Sequence, residues 1–172
     1  MKKLLVLLAG VMMAFGAQAQ NREDLKNGTH NVKLLASSAQ ASGVLGLSYE
    51  RRAGSFGLGG KVIQSTKNKT ANKFESTTFG VEATSHLYDN NDMDVYVAGG
   101  IAVTNLKDFV SPLAPANTSD ETMVGPSLGI GFMYTLTPNW GVGFEYYTIY
   151  NWFSDKALYE YSFSNAALSF SF

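Results

Sequence analysis

Apolar and polar positions alternate with a period of two along most of this chain, which is the spacing of an extended strand with two unlike faces. Eight such segments can be read: Thr29 to Ser37, Val44 to Arg52, Phe56 to Ser65, Phe74 to Tyr88, Asp94 to Asn105, Met123 to Leu136, Trp140 to Asn151 and Tyr159 to Phe172. The seventh shows the pattern well. Trp140, Val142, Phe144, Tyr146, Thr148 and Tyr150 share one parity, while Gly141, Gly143, Glu145, Tyr147 and Ile149 share the other. The fourth sets Phe79, Val81, Ala83, Ser85 and Leu87 against Thr78, Gly80, Glu82, Thr84 and His86. In the first, second, third, fourth and seventh segments Lys33, Glu50, Arg52, Lys61, Glu82 and Glu145 lie opposite the apolar set.

That sorting chooses between a dry core and a lipid face. A Lys or Arg on the lipid side near the bilayer midplane costs roughly 2–4 kcal/mol. Lys33, Glu50, Arg52, Lys61, Glu82 and Glu145 all escape it if their parity faces inward. The fifth and sixth segments bring small residues to the same side, among them Ala98, Gly100, Ala102, Gly129 and Gly131. Eight strands enclose an interior that side chains can fill, and small residues leave room for long charged ones. The expected fold is all-β: an eight-stranded antiparallel up-and-down transmembrane β-barrel. The segments are near or above the roughly 9–11 residues a tilted strand needs to cross a bilayer. The expected lumen is a polar plug in which Glu50, Lys61, Glu82 and Glu145 pair, with Lys33 and Arg52 nearer the ends. Aromatics near strand ends (Phe56, Phe74, Trp140, Tyr150, Trp152, Phe153, Tyr159, Phe170 and Phe172) suit the two interfacial girdles.

The connections differ by rim. Ala53-Gly54-Ser55, Asp89-Asn90-Asn91-Asp92 and Thr137-Pro138-Asn139 are tight turns, whereas Ser38 to Gly43, Thr66 to Lys73, Leu106 to Thr122 and Trp152 to Leu158 are longer or more polar. Short turns on one rim and long loops on the other match the layout of outer-membrane barrels. The chain opens with Met1-Lys2-Lys3, an apolar run from Leu4 to Phe15, and small residues at Gly16-Ala17-Gln18-Ala19. This reads as a secretory signal over 1–19 followed by a barrel domain over 20–172. The expected location is therefore the cell outer membrane, by export.

Composition narrows the function classes. Net charge is -1, and losing Lys2 and Lys3 with the leader makes the chain more acidic, so no basic field invites nucleic acid. There are no cysteines, which removes thiol chemistry, disulfides and Cys-ligated metals. Outside the leader no apolar run reaches the roughly 18 residues of a membrane helix.

The stretch Ser127-Leu128-Gly129-Ile130-Gly131-Phe132-Met133-Tyr134, with Leu136-Thr137-Pro138-Asn139-Trp140-Gly141-Val142-Gly143-Phe144-Glu145-Tyr146-Tyr147 after it, resembles the penultimate hairpin of OmpA-type small barrels. The closing Leu168-Ser169-Phe170-Ser171-Phe172 is similar to that family's terminal strand. Porin-like, OmpX-type, OmpW-type and opacity-protein barrels share the pattern. The resemblance implies that Leu168, Phe170 and Phe172 form the signal read by the barrel-assembly machinery. It also implies contact with outer-membrane lipid and lipopolysaccharide, and a lumen whose ion pairs form either a plug or a gate. The resemblance stops at the barrel, so peptidoglycan anchoring is not carried over.

Catalytic candidates are thin. Ser85 and His86 are adjacent, so on a strand they face opposite sides and form no dyad. Asp89 to Asp94 lacks the Gly and the distant Glu of a calcium loop. Gly57-Leu58-Gly59-Gly60 has no helix after it, which excludes a dinucleotide site. No cofactor, metal or enzyme activity is expected. The expected role is structural or interfacial, for a monomer. Its rivals are a surface adhesin acting through Thr66 to Lys73, where Lys67, Lys69 and Lys73 are basic, and through Leu106 to Thr122; a narrow small-solute channel; and a lipid A enzyme.

Overall fold

A computed structural model describes residues 30–37, 42–66, 74–90, 92–110, 118–153 and 159–172. The strands are β1 (His30–Ser37), β2 (Ser42–Ala53), β3 (Phe56–Thr66), β4 (Glu75–Asp89), β5 (Met93–Val110), β6 (Thr118–Thr135), β7 (Trp140–Tyr150) and β8 (Glu160–Ser171). Each pairs antiparallel with its chain neighbour, and β1 pairs with β8 from Asn31↔Ser171 to Ala36↔Ala166, so the sheet closes into a barrel. Closure leaves no sheet edge, the condition a sheet must meet to span hydrocarbon.

Both ends of the described chain lie on the short-turn rim. His30 and Phe172 exchange two backbone hydrogen bonds of 2.9 Å, and their rings stack with centroids 5.4 Å apart. On the same rim β2 turns into β3 through Gly54, whose φ of 64° suits a residue without a side chain.

The outer face is apolar. Leu34, Leu45, Leu47, Leu58, Val62, Phe79, Val81, Ile101, Ile130, Phe132, Val142 and Phe144 all point outward and are exposed. This band has a sharp upper edge. Val62, Phe79, Val103 and Val124 are paired across β3 to β6, and two residues along each strand the next outward row is Gln64, Thr77, Asn105 and Thr122. On β3 to β6 the outward face changes from apolar to polar between those two rows. β5 and β6 continue past the polar row, so much of the stretch from Leu106 to Thr122, expected as loop, is strand: Leu106–Val110 belongs to β5 and Thr118–Thr122 to β6.

Of the three register shifts among the described residues, one lies between Ser42 and Val44, and the other two change which later side chains face the lumen. One of those two lies between His86 and Tyr88. Beyond it Asp89 is opposite Asp94 and faces the lumen instead of following Leu87 outward. The other lies between Leu106 and Phe109, where Asp108 has φ 56°, and it turns Phe109 inward. An added residue resets which face each later side chain takes.

Candidate functional site

The lumen is filled in layers, ionic towards the short-turn rim and apolar towards the long-loop rim. Its centre is a triad. Lys61 Nζ of β3 donates to Glu145 Oε1 of β7 at 2.6 Å and stands 3.2 Å from Glu82 Oε2 of β4. Tyr96 of β5 donates its hydroxyl to the other Glu145 oxygen at 2.7 Å. Lys61 also lies over the Tyr147 ring, 4.0 Å from its centroid. Lys61 and Glu145 are 3% and 1% exposed, so neither charge has water to fall back on.

Glycine makes this packing feasible. A Cβ on Gly131 would run into the Tyr96 ring, and one on Gly57 would run into the Glu50 carboxylate. The small inward residues of β5 and β6 flank Tyr96 and Tyr147, as Ala98↔Gly129 and Gly129↔Tyr147 show in the register.

Below the triad a second cluster runs down to the rim. Lys33 Nζ is 3.6 Å from Glu50 Oε2 and caps the Tyr96 ring at 3.8 Å, which joins the two clusters. His86 Nε2 meets Glu50 Oε1 at 2.8 Å, and Nδ1 meets both oxygens of Asp94 at 2.8 and 2.9 Å. Both ring nitrogens thus face carboxylates, and the imidazolium form supplies a donor to each. Arg52 donates to Asp89 at 2.7 Å and to the Gly54 carbonyl at 2.9 Å, and lies 3.6 Å from Asp94. A vestibule of about 80 Å³ opens here, lined by Asn31, Arg52, Asp89, Asp94, Met133 and Trp140 among others.

The upper layer is an apolar cap. Ile63, Leu106, Met123, Ile149 and Phe163 are fully or almost fully buried inside the barrel. Aromatic rings close over them: Tyr161 meets Phe163 edge-on at 4.6 Å, and Phe74 meets Phe109 at 5.4 Å and Tyr161 at 5.8 Å. The Tyr161 hydroxyl is held by Ser76 at 2.9 Å and Ser65 at 3.1 Å.

The six lumenal residues named from sequence therefore divide differently from the expectation. Glu50 does not join Lys61; it pairs with Lys33 and His86 in the lower cluster. Lys33 sits at the junction of the two clusters and not at an end. Arg52 does lie near the rim. Sequence reasoning missed His86, Asp89, Asp94 and Tyr96 as network members. Asp94 and His86 carried a usable signal, since both share the inward parity of their strands; Asp89 did not, because the bulge reverses it. Phe74, expected in a girdle, packs inward against the cap. Phe56, Trp140, Trp152, Phe153, Tyr159, Phe170 and Phe172 are exposed. His86 is inward and Ser85 lies opposite Phe56 on the outward parity, so the two form no dyad. Among the described residues no cluster of His, Asp and Glu has metal-binding geometry. Leu168, Phe170 and Phe172 share the outward face of the last strand. Lys67, Lys69 and Lys73 lie outside the described residues.

A closed antiparallel barrel with an apolar outer band and an ion-paired interior is a transmembrane barrel in its architecture. The outer membrane protein beta-barrel domain model matches residues 4–172, and the chain belongs to that family. Among curated proteins none matches the sequence. Solved structures that share the fold include three natural small barrels. The N-terminal β-barrel domain of Pseudomonas aeruginosa OprF is 15% identical with a TM-score of 0.66, covering 85% of this chain and 98% of that one. Neisserial surface protein A is 18% identical with a TM-score of 0.59, over 84% and 95%. Ail, the attachment invasion locus protein of Yersinia pestis, solved with the heparin analogue sucrose octasulfate, is 13% identical with a TM-score of 0.56, over 86% and 100%.

Proposed function

We propose that this chain is a monomeric outer-membrane barrel, exported by its N-terminal signal and closed to solutes, which serves the envelope through its wall and its outer rim. The observation that carries the reading is the cap. Phe109, Phe163, Leu106, Ile63, Met123 and Ile149 fill the bore above the ion pairs, and an apolar constriction holds back both water and ions. The ion pairs below then act as a plug that satisfies itself. The same filling argues against catalysis in the lumen, because among the described residues no nucleophile stands there beside a base with room for a substrate. Planar-bilayer recording and liposome swelling with small sugars test this: the wild type should give negligible conductance and no swelling. Sustained sugar flux would refute the closed lumen.

A second role, contact at the cell surface, is favoured by the ribbon of β5 and β6 that rises past the apolar band. Lys107, Asp108, Asp120 and Glu121 crowd its base, with Asp108 N–H donating to Asp120 at 3.2 Å. In sequence, the basic stretch with Lys67, Lys69 and Lys73 offers ammonium groups to lipopolysaccharide phosphates or to sulfated sugars of the kind held by Ail. Replacing those three lysines with Gln should weaken binding of a sulfated glycan to whole cells without altering barrel migration on gels. Unchanged glycan binding would remove this second role.

A further inference from the structure

The outer wall carries one charge that the lumen does not explain. Arg51 of β2 shares the outward parity of Leu45, Leu47 and Tyr49, and it is exposed. The other charged strand residues that face outward among those described are Glu75, Lys107, Asp120 and Glu160, and they lie towards the long loops. Arg51 alone lies at the short-turn end, close to the turn after Ala53. Among the described residues its side chain has no ion pair and no hydrogen bond. Its neighbours are aromatic and apolar. His30 is directly opposite on β1, and Leu58, 70% exposed, is directly opposite on β3. His30 is itself held in place: Nδ1 meets the Tyr49 hydroxyl at 2.7 Å, and the ring stacks on Phe172. When that hydroxyl donates, the proton of the neutral imidazole sits on Nε2, which no described residue takes up.

A guanidinium on a lipid-facing wall is tolerated where its stem lies on apolar surface and its head reaches the polar level of the bilayer. We infer that Arg51 and His30 hold the phosphate of a phospholipid in the leaflet on the short-turn side, and that the site favours a headgroup of net negative charge. The inference rests on the outer-membrane reading above, which sets lipid against this rim. The planar fork of Arg51 matches two non-bridging phosphate oxygens at once. Residues directly opposite across two strands have Cβ atoms about 4.5–5.5 Å apart, so His30 Nε2–H is within reach of the same phosphate. Acyl chains have a track above it. Leu58 leads along β3 to Gly60, which faces outward without a side chain between Tyr49 and Val81. Leu47 and Val62, paired and exposed, border this notch on the far side. Charge sets the headgroup preference. No carboxylate of the described outward face lies at this end, so the ammonium of a zwitterionic headgroup finds no partner beside Arg51. A headgroup without an ammonium leaves the phosphate charge to the guanidinium.

The full chain folded in maltoside micelles provides the test. Titrating short-chain phosphatidylglycerol should shift the NMR signals of Arg51 Nε–H and the His30 ring until they saturate. Phosphatidylethanolamine of the same chain length should bind about fivefold more weakly, and inorganic phosphate more weakly again. Arg51→Gln should weaken phosphatidylglycerol binding by a similar factor and Arg51→Lys by less, with the folded gel band of both unchanged. A wild type whose Arg51 signal ignores phosphatidylglycerol would overturn the site. So would equal binding of phosphatidylethanolamine, equal binding of inorganic phosphate, or undiminished binding by Arg51→Gln. Insertion is read separately, by heat-dependent gel migration after refolding into vesicles. A chain that inserts and yet ignores phosphatidylglycerol loses the lipid site and keeps the barrel reading, whereas one that fails to insert loses both.

Discussion

Lys61 Nζ and Glu145 Oε1 meet at 2.6 Å across the lumen, although 84 residues separate them in the chain. β3 and β7 are not neighbours in the sheet, so this pair ties two walls that the sheet joins only through intervening strands. Removing one partner of a buried pair leaves a charge without compensation. Lys61→Met should lower stability by about 3–5 kcal/mol, read as a lower urea midpoint for loss of the folded gel band. Adding Glu82→Leu and Glu145→Leu to Lys61→Met should restore most of the loss. A single variant as stable as wild type would contradict this.

The cap and the ion pairs predict different electrical behaviour. Removing three rings together, by Phe109→Ala, Tyr161→Ala and Phe163→Ala, should raise single-channel conductance well above wild type. Lys61→Met alone should not, because the cap stays shut. Conductance opened by Lys61→Met and unaffected by the cap variant would transfer the seal to the triad.

Depth in the bilayer can be read from substitutions on the outer face. Val81 is 67% exposed on the apolar band near mid-strand. Val81→Arg should cost about 2–4 kcal/mol, whereas Gln64→Arg, on the polar row, should cost about 0–1 kcal/mol. Refolding titrations into lipid vesicles give both values, and equal costs would remove the lipid band.

Much of this was legible in the sequence, and for a physical reason. A charge cannot face hydrocarbon cheaply, so Glu82, Lys61 and Glu145 declared their side, and their strands' parity followed. Strand number and the short-turn rim followed from turn chemistry at Gly54 and around Pro138. Apolar residues carry no such sign. Ile149 shared the inward parity of Glu145, but that Ile63, Leu106, Met123, Ile149 and Phe163 meet in one cap showed only in three dimensions. Tyr161 and Phe163 look in sequence like any outward aromatics of a barrel strand. Asp89 and Phe109 were hidden more deeply, because each lies just beyond a bulge that resets the count of two. Partner choice was also out of reach: Glu50 takes Lys33 and His86 over Lys61 because register sets those neighbours, and alternation says nothing about register.

Phe172 closes the barrel seam by pairing with His30. Deleting Phe172 should reduce outer-membrane insertion in cells several-fold while leaving detergent refolding of the purified chain nearly intact, a difference readable by fractionation and gel shift. Equal losses in both would assign Phe172 to stability alone, without a part in assembly.

Neighbouring side chains on one strand face lipid and lumen in turn. The chain has no cysteine, so single cysteines can be placed from Gly141 to Ile149 on β7 and spin-labelled in vesicles. Oxygen accessibility should be high at Val142, Phe144 and Tyr146 and low at Gly143, Glu145 and Tyr147. A flat profile, or one with the two sets exchanged, would contradict the barrel described here.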